Sequence, residues 1–455
     1  MTTEIHPSDA LRAQLIGSVL SPADAAYDEA RRVHNGMIDR RPALLARCHG
    51  AADVQAAVRF ARERGLEIAV RGGGHNVAGN AVCDGGLVID LSAMRGVHVD
   101  ARGRVARAQG GATWGDYNRE TQLYALASTG GVVSTTGVGG LTLGGGLGWL
   151  MGKHGMAVDC LRAVELVTAT GDIVRASAEE HPDLFWAVRG GGGNFGVATW
   201  LEYELYPVGP MVTGGLVAHP FSAARDVLRF YRDFTASLPD ELTAFAGLLH
   251  APDGSGVKLC GIIVCYAGSL EAGAAAAGPV KRFGSPVMDV IGPMPYAAVN
   301  TLFDAGFPRG ALNYWKSNFL TALPDAAIDT MIDRFAAAPS PMSGLLLEHF
   351  HGAATRVGPT ATAFPHRTVG YNFLTVSEWL DAGATKANVA WARDAYGAMA
   401  PHFTAGRYVN YLNADEVGDD AAISAAFGPN AKRLRDLKRK YDPDNVFHLN
   451  QNIKP

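Results

Sequence analysis

The chain has 455 residues, 48% of them hydrophobic, and at roughly 150 residues per domain this length holds two or three domains with cores that need no disulfide or metal staple. Lys+Arg total 40 against Asp+Glu 44, a net charge of −4 with no block of like charges, which excludes a nucleic-acid or acidic-membrane surface and points to small molecules as partners. Glycine, at 55 residues, is about twice the usual ~7% with no collagen-like period, so the excess must sit at particular places.

Residues 1–21 alternate polar and apolar side chains and carry Glu4, Asp9 and Arg12, which is not the layout of a signal peptide. The five cysteines, Cys48, Cys83, Cys160, Cys260 and Cys265, show neither C-x-x-C nor zinc-finger spacing, so a reduced, cytoplasmic chain is expected. Residues 53–64 place Val54, Ala57, Val58 and Ala61 at helical spacing ahead of Gly65, and strands are expected at 66–71 and 87–92 around a glycine loop. Weak alternation marks 103–113. Residues 122–151 carry no charge and are long enough to span a bilayer, but the nine glycines in that window argue against a membrane helix. Residues 162–177 alternate up to Thr170-Gly171-Asp172 and turn back as a hairpin; 183–190 reads as a helix and 196–208 as a strand.

After about residue 206 the glycine clusters stop. Helical patterns at 222–236 and 325–337 alternate with strand patterns at 257–266, 343–350 and 368–377, so a second domain is expected over 207–414 after a first over 1–206. Residues 430–453 read as a basic-faced helix ending at Asp442-Pro443 and an Asn-rich tail. With too few apolar residues to stand alone, the segment 415–455 is expected to return to the first domain.

The excess glycine falls in three clusters: Arg71-Gly72-Gly73-Gly74-His75-Asn76, the stretch 130–148, and the run from Arg189 to Gly196. Successive glycines let backbone N–H groups approach an anion without a Cβ in the way, which suits a pyrophosphate. None of the clusters sits between a clear strand and helix with an acidic residue ~20 further on, so a Rossmann site is not indicated. In LLLEHFHG (345–352), Glu348 and Phe350 share one strand face, and His349 and His351 the other. H-x-H spacing can ligate a metal, but no third ligand is spaced to join it; exposed strand histidines and no metal are expected.

VRGGGHNVAG (70–79) resembles the flavin-attachment loop of the vanillyl-alcohol-oxidase superfamily, and the rest of the chain resembles its berberine-bridge-enzyme-like oxidases. RRPALLARC (40–48), GGLTLGGGLGWLMGKHG (139–155), DLFWAVRGGGGNFGV (183–197), TAFPHR (362–367), YVNY (408–411) and YDPDNVFHLNQNI (441–453) carry that resemblance in the family's order. It implies an α+β chain: a PCMH-type FAD-binding fold of two α+β subdomains plus a substrate domain with a large antiparallel sheet covered by helices. It implies FAD bonded through its 8α carbon to His75. Amides of 71–76 and 137–146 would hold the pyrophosphate, with Arg71, Gly72, Gly73, Gly74, Asn76, Thr136, Gly137, Gly139, Gly140, Gly145, Gly196, Val197, Asn450 and Asn452 as the cofactor-binding set. Many members attach FAD a second time through a cysteine whose position falls here on Val133, so single attachment is expected. The family's oxygen-gate position falls on Thr136, close in size to valine, so dioxygen is expected to enter.

The same resemblance places a catalytic base at Tyr411. In an extended strand only one of Tyr408 and Tyr411 would face the substrate. A phenol with an ordinary pKa of ~10 needs a cation or a hydrogen-bond donor to act as a base at neutral pH, and Lys316 or Arg367 is the candidate. Glu348 is expected to orient a substrate hydroxyl or pair with an amine, and Trp315, Asn318, Tyr371 and Phe373 to line the pocket. The implied activity is an FAD-dependent oxidase taking hydride from a CH–OH of a sugar, glycoside or other alcohol and passing the electrons to O2 as H2O2. An amine-oxidising enzyme of the nicotine kind and an O2-excluding dehydrogenase are the alternatives.

Overall fold

The computed structural model describes residues 7–416 and 418–455; the first six residues of the N-terminal stretch read above lie outside them. Among the described residues the first sheet orders Ser18–Leu20, Leu44–Arg47, Leu87–Asp90 and Ile68–Arg71. Its last three strands are parallel, which requires crossovers, and the helix Ala51–Glu63 supplies one, burying Val54, Ala57, Val58 and Ala61 against the sheet. The second sheet is antiparallel throughout and orders Val97–Asp100, Val105–Gln109, Val197–Glu204, Leu161–Val167 and Ile173–Ser177. The expected hairpin at 162–177 is its Leu161–Val167/Ile173–Ser177 edge.

The third sheet is large and antiparallel, running Met288–Asp289, Met211–Pro220, Lys258–Tyr266, Leu242–His250, Gly344–Phe350, Gly370–Trp379 and Leu312–Leu320, with Gly292–Pro295 also pairing to Met211–Pro220. One face is covered by the helices Ala224–Thr235, Asp325–Ala336 and Thr385–Met399 around Leu345, Leu347, Phe373 and Met331. The other face turns toward the glycine-rich half of the chain. This mixed α+β architecture follows from the sequence patterning: helical periodicity where a sheet needs a cover, two-residue alternation where it has two different faces.

The C-terminal segment packs beside the third glycine cluster. The helix Ala431–Tyr441 ends in an ion pair between Lys438 and Asp442, both fully buried, at 2.6 Å. Lys438 also donates to the carbonyls of Asn194 (2.8 Å) and Phe447 (3.0 Å), and Asn194 receives the N–H of Ile453 at 2.9 Å. The third glycine cluster and the Asn-rich tail are thereby held together. No helix among the described residues is long and apolar enough to cross a membrane, and the window 122–151 breaks into Val138–Leu143, Met151–His154 and loops.

Candidate active site

Two cavities adjoin the glycine loops, the first against the large sheet and the second between the two smaller sheets and the Asn-rich tail, and they share Val70, Gly72, Asn76, Ala81, Gly140 and Asn410 as common walls. Together they make one trough. Its floor exists because two glycine loops touch backbone to backbone: a Cβ on Gly73 would stand 2.4 Å from the nitrogen of Gly137, and one on Gly137 would stand 2.4 Å from the nitrogen of Gly73. Gly74 has φ +70°, a conformation other residues adopt only under strain.

His75, Gly73, Gly74, Val133, Thr136 and Gly137 line the first cavity; Gly139, Gly192, Gly193, Gly196 and Asn450 line the second; Gly72, Asn76 and Gly140 line both. In the second cavity Asn80 Nδ2, Asn450 Oδ1 and Gln451 Nε2 are buried without a hydrogen-bond partner. Buried polar atoms without partners are costly, so an end of the trough lined by three of them fits a polar ligand. An elongated trough with amide-lined glycine loops midway and orphaned amides at one end fits FAD.

Four expected cofactor contacts fall elsewhere. The Arg71 guanidinium turns inward onto buried Asp90 (2.6 Å) and the Ala30 carbonyl (2.5 Å), leaving only its backbone near the loop. Gly145 packs under Met156, Phe364 and Tyr408, Val197 sits in the core beside Val167, and Asn452, whose Oδ1 is also unpaired, lines neither cavity.

The His75 imidazole shares a 2.8 Å hydrogen bond between Nε2 and Thr135 Oγ1 and stacks on His34 with centroids 3.9 Å apart. Burial, with smaller contributions from His34 and Arg309, pushes its pKa down to about 3, so the ring is neutral.

Across the cavity stand Glu348 and Tyr411. The strand Gly344–Phe350 alternates as its sequence says, with Leu346 and Glu348 lining the cavity, Phe350 packed with Trp149 and Phe245 on that face, and His349 and His351 toward the opposite side. Glu348 is 4% exposed; its Oε2 accepts from Asn372 Nδ2 at 2.6 Å and its Oε1 accepts the Tyr411 hydroxyl at 3.1 Å. Burial pushes its pKa up from 4.5 to about 7, partly offset by those two donors, and no basic side chain among the described residues pairs with it. Phe303, Phe307 and Trp315 surround this carboxyl end, with Trp315 edge-on to Tyr411 at 5.9 Å.

Several expectations at this wall need correcting. Residues 409–411 form a single 3-10 turn rather than a strand, because Asn410 is drawn back to donate to the Leu141 carbonyl at 2.9 Å. A turn brings positions i and i+3 together, so Tyr408 and Tyr411 both line the cavity, with rings 4.8 Å apart. Tyr411 is not primed as a base: burial, then the neighbouring Glu348 charge, push its pKa well above 10. Lys316 cannot help it. With Trp315 facing the cavity, alternation turns Lys316 to the helix-covered side, where it pairs with Asp415 (2.9 Å) and Glu416 (3.2 Å). Arg367 is likewise engaged, gripping Asp159 at 2.7 and 2.8 Å. His349 and His351 are buried, not exposed, and stack at 4.9 Å; no cluster of three or more metal-type ligands occurs among the described residues. Tyr371 and Phe373 belong to the helix-side core and Asn318 is buried outside the cavity, leaving Trp315 as the one of those four that lines it. Asn372, His34 and Thr135 are candidate site residues that sequence reading did not single out; strand alternation from Glu348's neighbours could have found Asn372, Thr135 sits unmarked inside the second glycine stretch, and His34 lies in no motif.

The family described as "FAD binding domain" matches residues 42–177, and that described as "Berberine and berberine like" matches residues 407–454. The chain is 34% identical to (R)-6-hydroxynicotine oxidase of Paenarthrobacter nicotinovorans over 96% of its own length and 97% of the relative's. It superimposes on the crystal structure of 6-hydroxy-D-nicotine oxidase from Arthrobacter nicotinovorans with a TM-score of 0.87 at 31% identity, covering 97% of this chain and 98% of that one. The Physcomitrella patens BBE-like 1 structure shares the fold at a TM-score of 0.88 and 23% identity, covering 99% of both chains. A PCMH-type FAD-binding fold with a chemistry-bearing sheet is that of a flavin-dependent oxidoreductase. The chain belongs to the berberine-bridge-enzyme-like family of FAD-linked oxidoreductases, enzymes of small-molecule substrates.

Proposed function

We propose that this enzyme oxidises a CH–NH bond of an amine that carries an aromatic or heteroaromatic ring, using FAD attached singly through His75 and dioxygen as the electron acceptor, with release of H2O2. The observation that carries this reading is Glu348, a carboxyl buried in a cavity wall of aromatic and aliphatic side chains with no protein cation beside it. A carboxylate in that setting lacks a counter-ion, and an ammonium ligand supplies one; aromatic faces nearby favour the same cation. The name of the 34% identical relative, a hydroxynicotine oxidase, is of the same chemical class.

When bound, FAD supplies a two-electron acceptor for the hydride. Glu348 takes the ammonium proton on Oε1 or Oε2, leaving the amine neutral and its nitrogen lone pair free to assist C–H cleavage. Asn372 and Tyr411 hold the carboxylate in place by donating to its two oxygens. Trp315, Phe303 and Phe307 orient the ring and exclude water. This order places amine above alcohol, because an alcohol oxidase built on Tyr411 needs a phenolate that burial and Glu348 disfavour. Thr136 on the cavity wall and Val133 at the second attachment position support dioxygen entry and single attachment.

The test is anaerobic bleaching of the flavin band near ~450 nm, which reports the reductive half-reaction directly. Cyclic amines bearing a pyridine ring, hydroxylated nicotines among them, are expected to bleach it, and glucose or chitooligosaccharides to leave it unchanged. Bleaching by sugars alone refutes the amine reading. Reoxidation of the reduced enzyme by air over minutes rather than seconds refutes the oxidase reading.

A further inference from the structure

The ring stacked beneath His75 has no role in the chemistry above, yet its placement is closely specified. His34 donates its backbone N–H to the carbonyl of Gly74 at 3.0 Å, one residue from His75, and its own carbonyl accepts the N–H of Gly310 at 2.9 Å. The backbone is thus pinned on both sides, and the ring lies against His75 at 3.9 Å with planes 20° apart. Nε2 of His34 is buried without a partner, so what the residue offers its neighbour is the face of its ring. At the edge of His75, Thr135 Oγ1 holds Nε2 at 2.8 Å. Plane and edge are both fixed, and Nδ1 is left as the free nitrogen.

We propose that His34 and Thr135 are positioning residues for covalent attachment of FAD through His75, a proposal that rests on the His75 linkage stated above. In that attachment one C–N bond forms between the imidazole and the 8α carbon, replacing one N–H of the ring and one C–H of the 8α-methyl group. The two hydrogens, as two protons and two electrons, end on dioxygen as hydrogen peroxide, so the step balances with O2 as co-reactant. The nitrogen that bonds needs a lone pair aimed at one carbon. The His34 face sets the plane of the ring, and the Thr135 hydroxyl sets which nitrogen is engaged and exchanges the proton at Nε2 as the bond forms at the other. The buried stack also keeps His75 neutral, the form that has a lone pair.

The full-length protein, prepared free of flavin, is tested by acid precipitation at fixed times after mixing with excess FAD, scoring the flavin that stays with the pellet, alongside total bound FAD by absorbance. His34→Leu, which keeps bulk without a ring face, and Thr135→Val are expected to bind FAD yet lose at least tenfold in the rate of acid-stable incorporation. His34→Phe and Thr135→Ser are expected to restore most of it, a rescue that a space-filling role does not explain. Wild-type rates in His34→Leu and Thr135→Val overturn the proposal, as does failure of both conservative variants to rescue. If wild-type flavin is itself released by acid, the His75 linkage is wrong and the proposal falls with it. If it is retained, lost in His75→Ala and unchanged in the Leu and Val variants, the linkage stands and the positioning role alone is refuted.

Discussion

Glu348→Gln separates a ligand-binding role for this carboxyl from a structural one, because the two predict opposite signs. Burial raises the folded-state pKa from 4.5 to about 7, which corresponds to roughly 3 kcal/mol between the protonation states. The stability contributed by the protonated group is fully present below pH 4.5 and is lost as pH rises to about 7, so at pH 8 the wild type carries a penalty that the glutamine lacks. The amide fits the same hydrogen bonds: its oxygen accepts from Asn372, and its nitrogen faces the Tyr411 hydroxyl, which can accept instead. The thermal midpoint at pH 8 should therefore equal or exceed that of the wild type. Amine binding should weaken, since removing one partner of a buried charge pair costs about 2 kcal/mol or more, at least about thirtyfold in Kd. In the wild type, affinity for an ammonium ligand should fall about tenfold per pH unit below 7, because each ligand then needs Glu348 to lose a proton first. Stopped-flow flavin reduction against amine concentration from pH 5 to 9 measures both. Wild-type affinity in Glu348→Gln with a flat pH profile would falsify the counter-ion argument, and a lowered midpoint at pH 8 would make Glu348 a structural residue.

Tyr411→Phe removes a donor that favours the Glu348 carboxylate, so the pH midpoint of amine reduction should move upward while the limiting rate stays within about tenfold; a loss of ~1,000-fold or more would restore Tyr411 as the base. Lys438→Met leaves the fully buried Asp442 unpaired and should cost about 3–5 kcal/mol, read as a fall in thermal midpoint with release of the tail; an unchanged midpoint contradicts the assignment. Glu378, wholly buried with both carboxyl oxygens unpartnered, has its pKa pushed up to about 8 by burial. Its stabilising protonated form is lost between pH 4.5 and 8, so Glu378→Met should be the more stable protein at pH 8, by roughly 3–5 kcal/mol, with the margin closing toward pH 4.5. A variant less stable than wild type at pH 8 refutes this.

The elements were legible where local chemistry decides them. Gly65 closes the helix Ala51–Glu63, Thr170-Gly171-Asp172 turns the hairpin, and two-residue alternation put Glu348 and the two histidines on opposite faces. Burial was less legible, because alternation says which residues share a face and not what covers it. His349 and His351 read as exposed, yet they are buried on the side of the sheet that carries the helices, a fact fixed some hundred residues earlier in the chain. The glycine loops announced an anion-binding trough, but not which amides face it: Gly145 and Gly140 are five residues apart in one motif, and only Gly140 lines the cavity.

Lys316 cannot assist Tyr411, for a reason that the sequence already contained in part. Trp315 and Lys316 are adjacent on one strand, so a Trp315 that lines the pocket sends Lys316 to the other side, and the two could never have served Tyr411 together. The 3-10 turn at 409–411 is a different matter. Tyr-Val-Asn-Tyr is strand-like in composition, and hydrogen bonds from Asn410 to the Leu141 carbonyl and from Gly146 to the Tyr408 hydroxyl hold it as a turn. Those bonds, to a segment some 270 residues earlier, accompany a turn that brings both tyrosines to the cavity, where Tyr411 donates to Glu348. A phenol that donates to a carboxylate leaves the carboxylate as the group that ionises near neutral pH, which is why the proposed proton chemistry is placed on Glu348 and not on Tyr411.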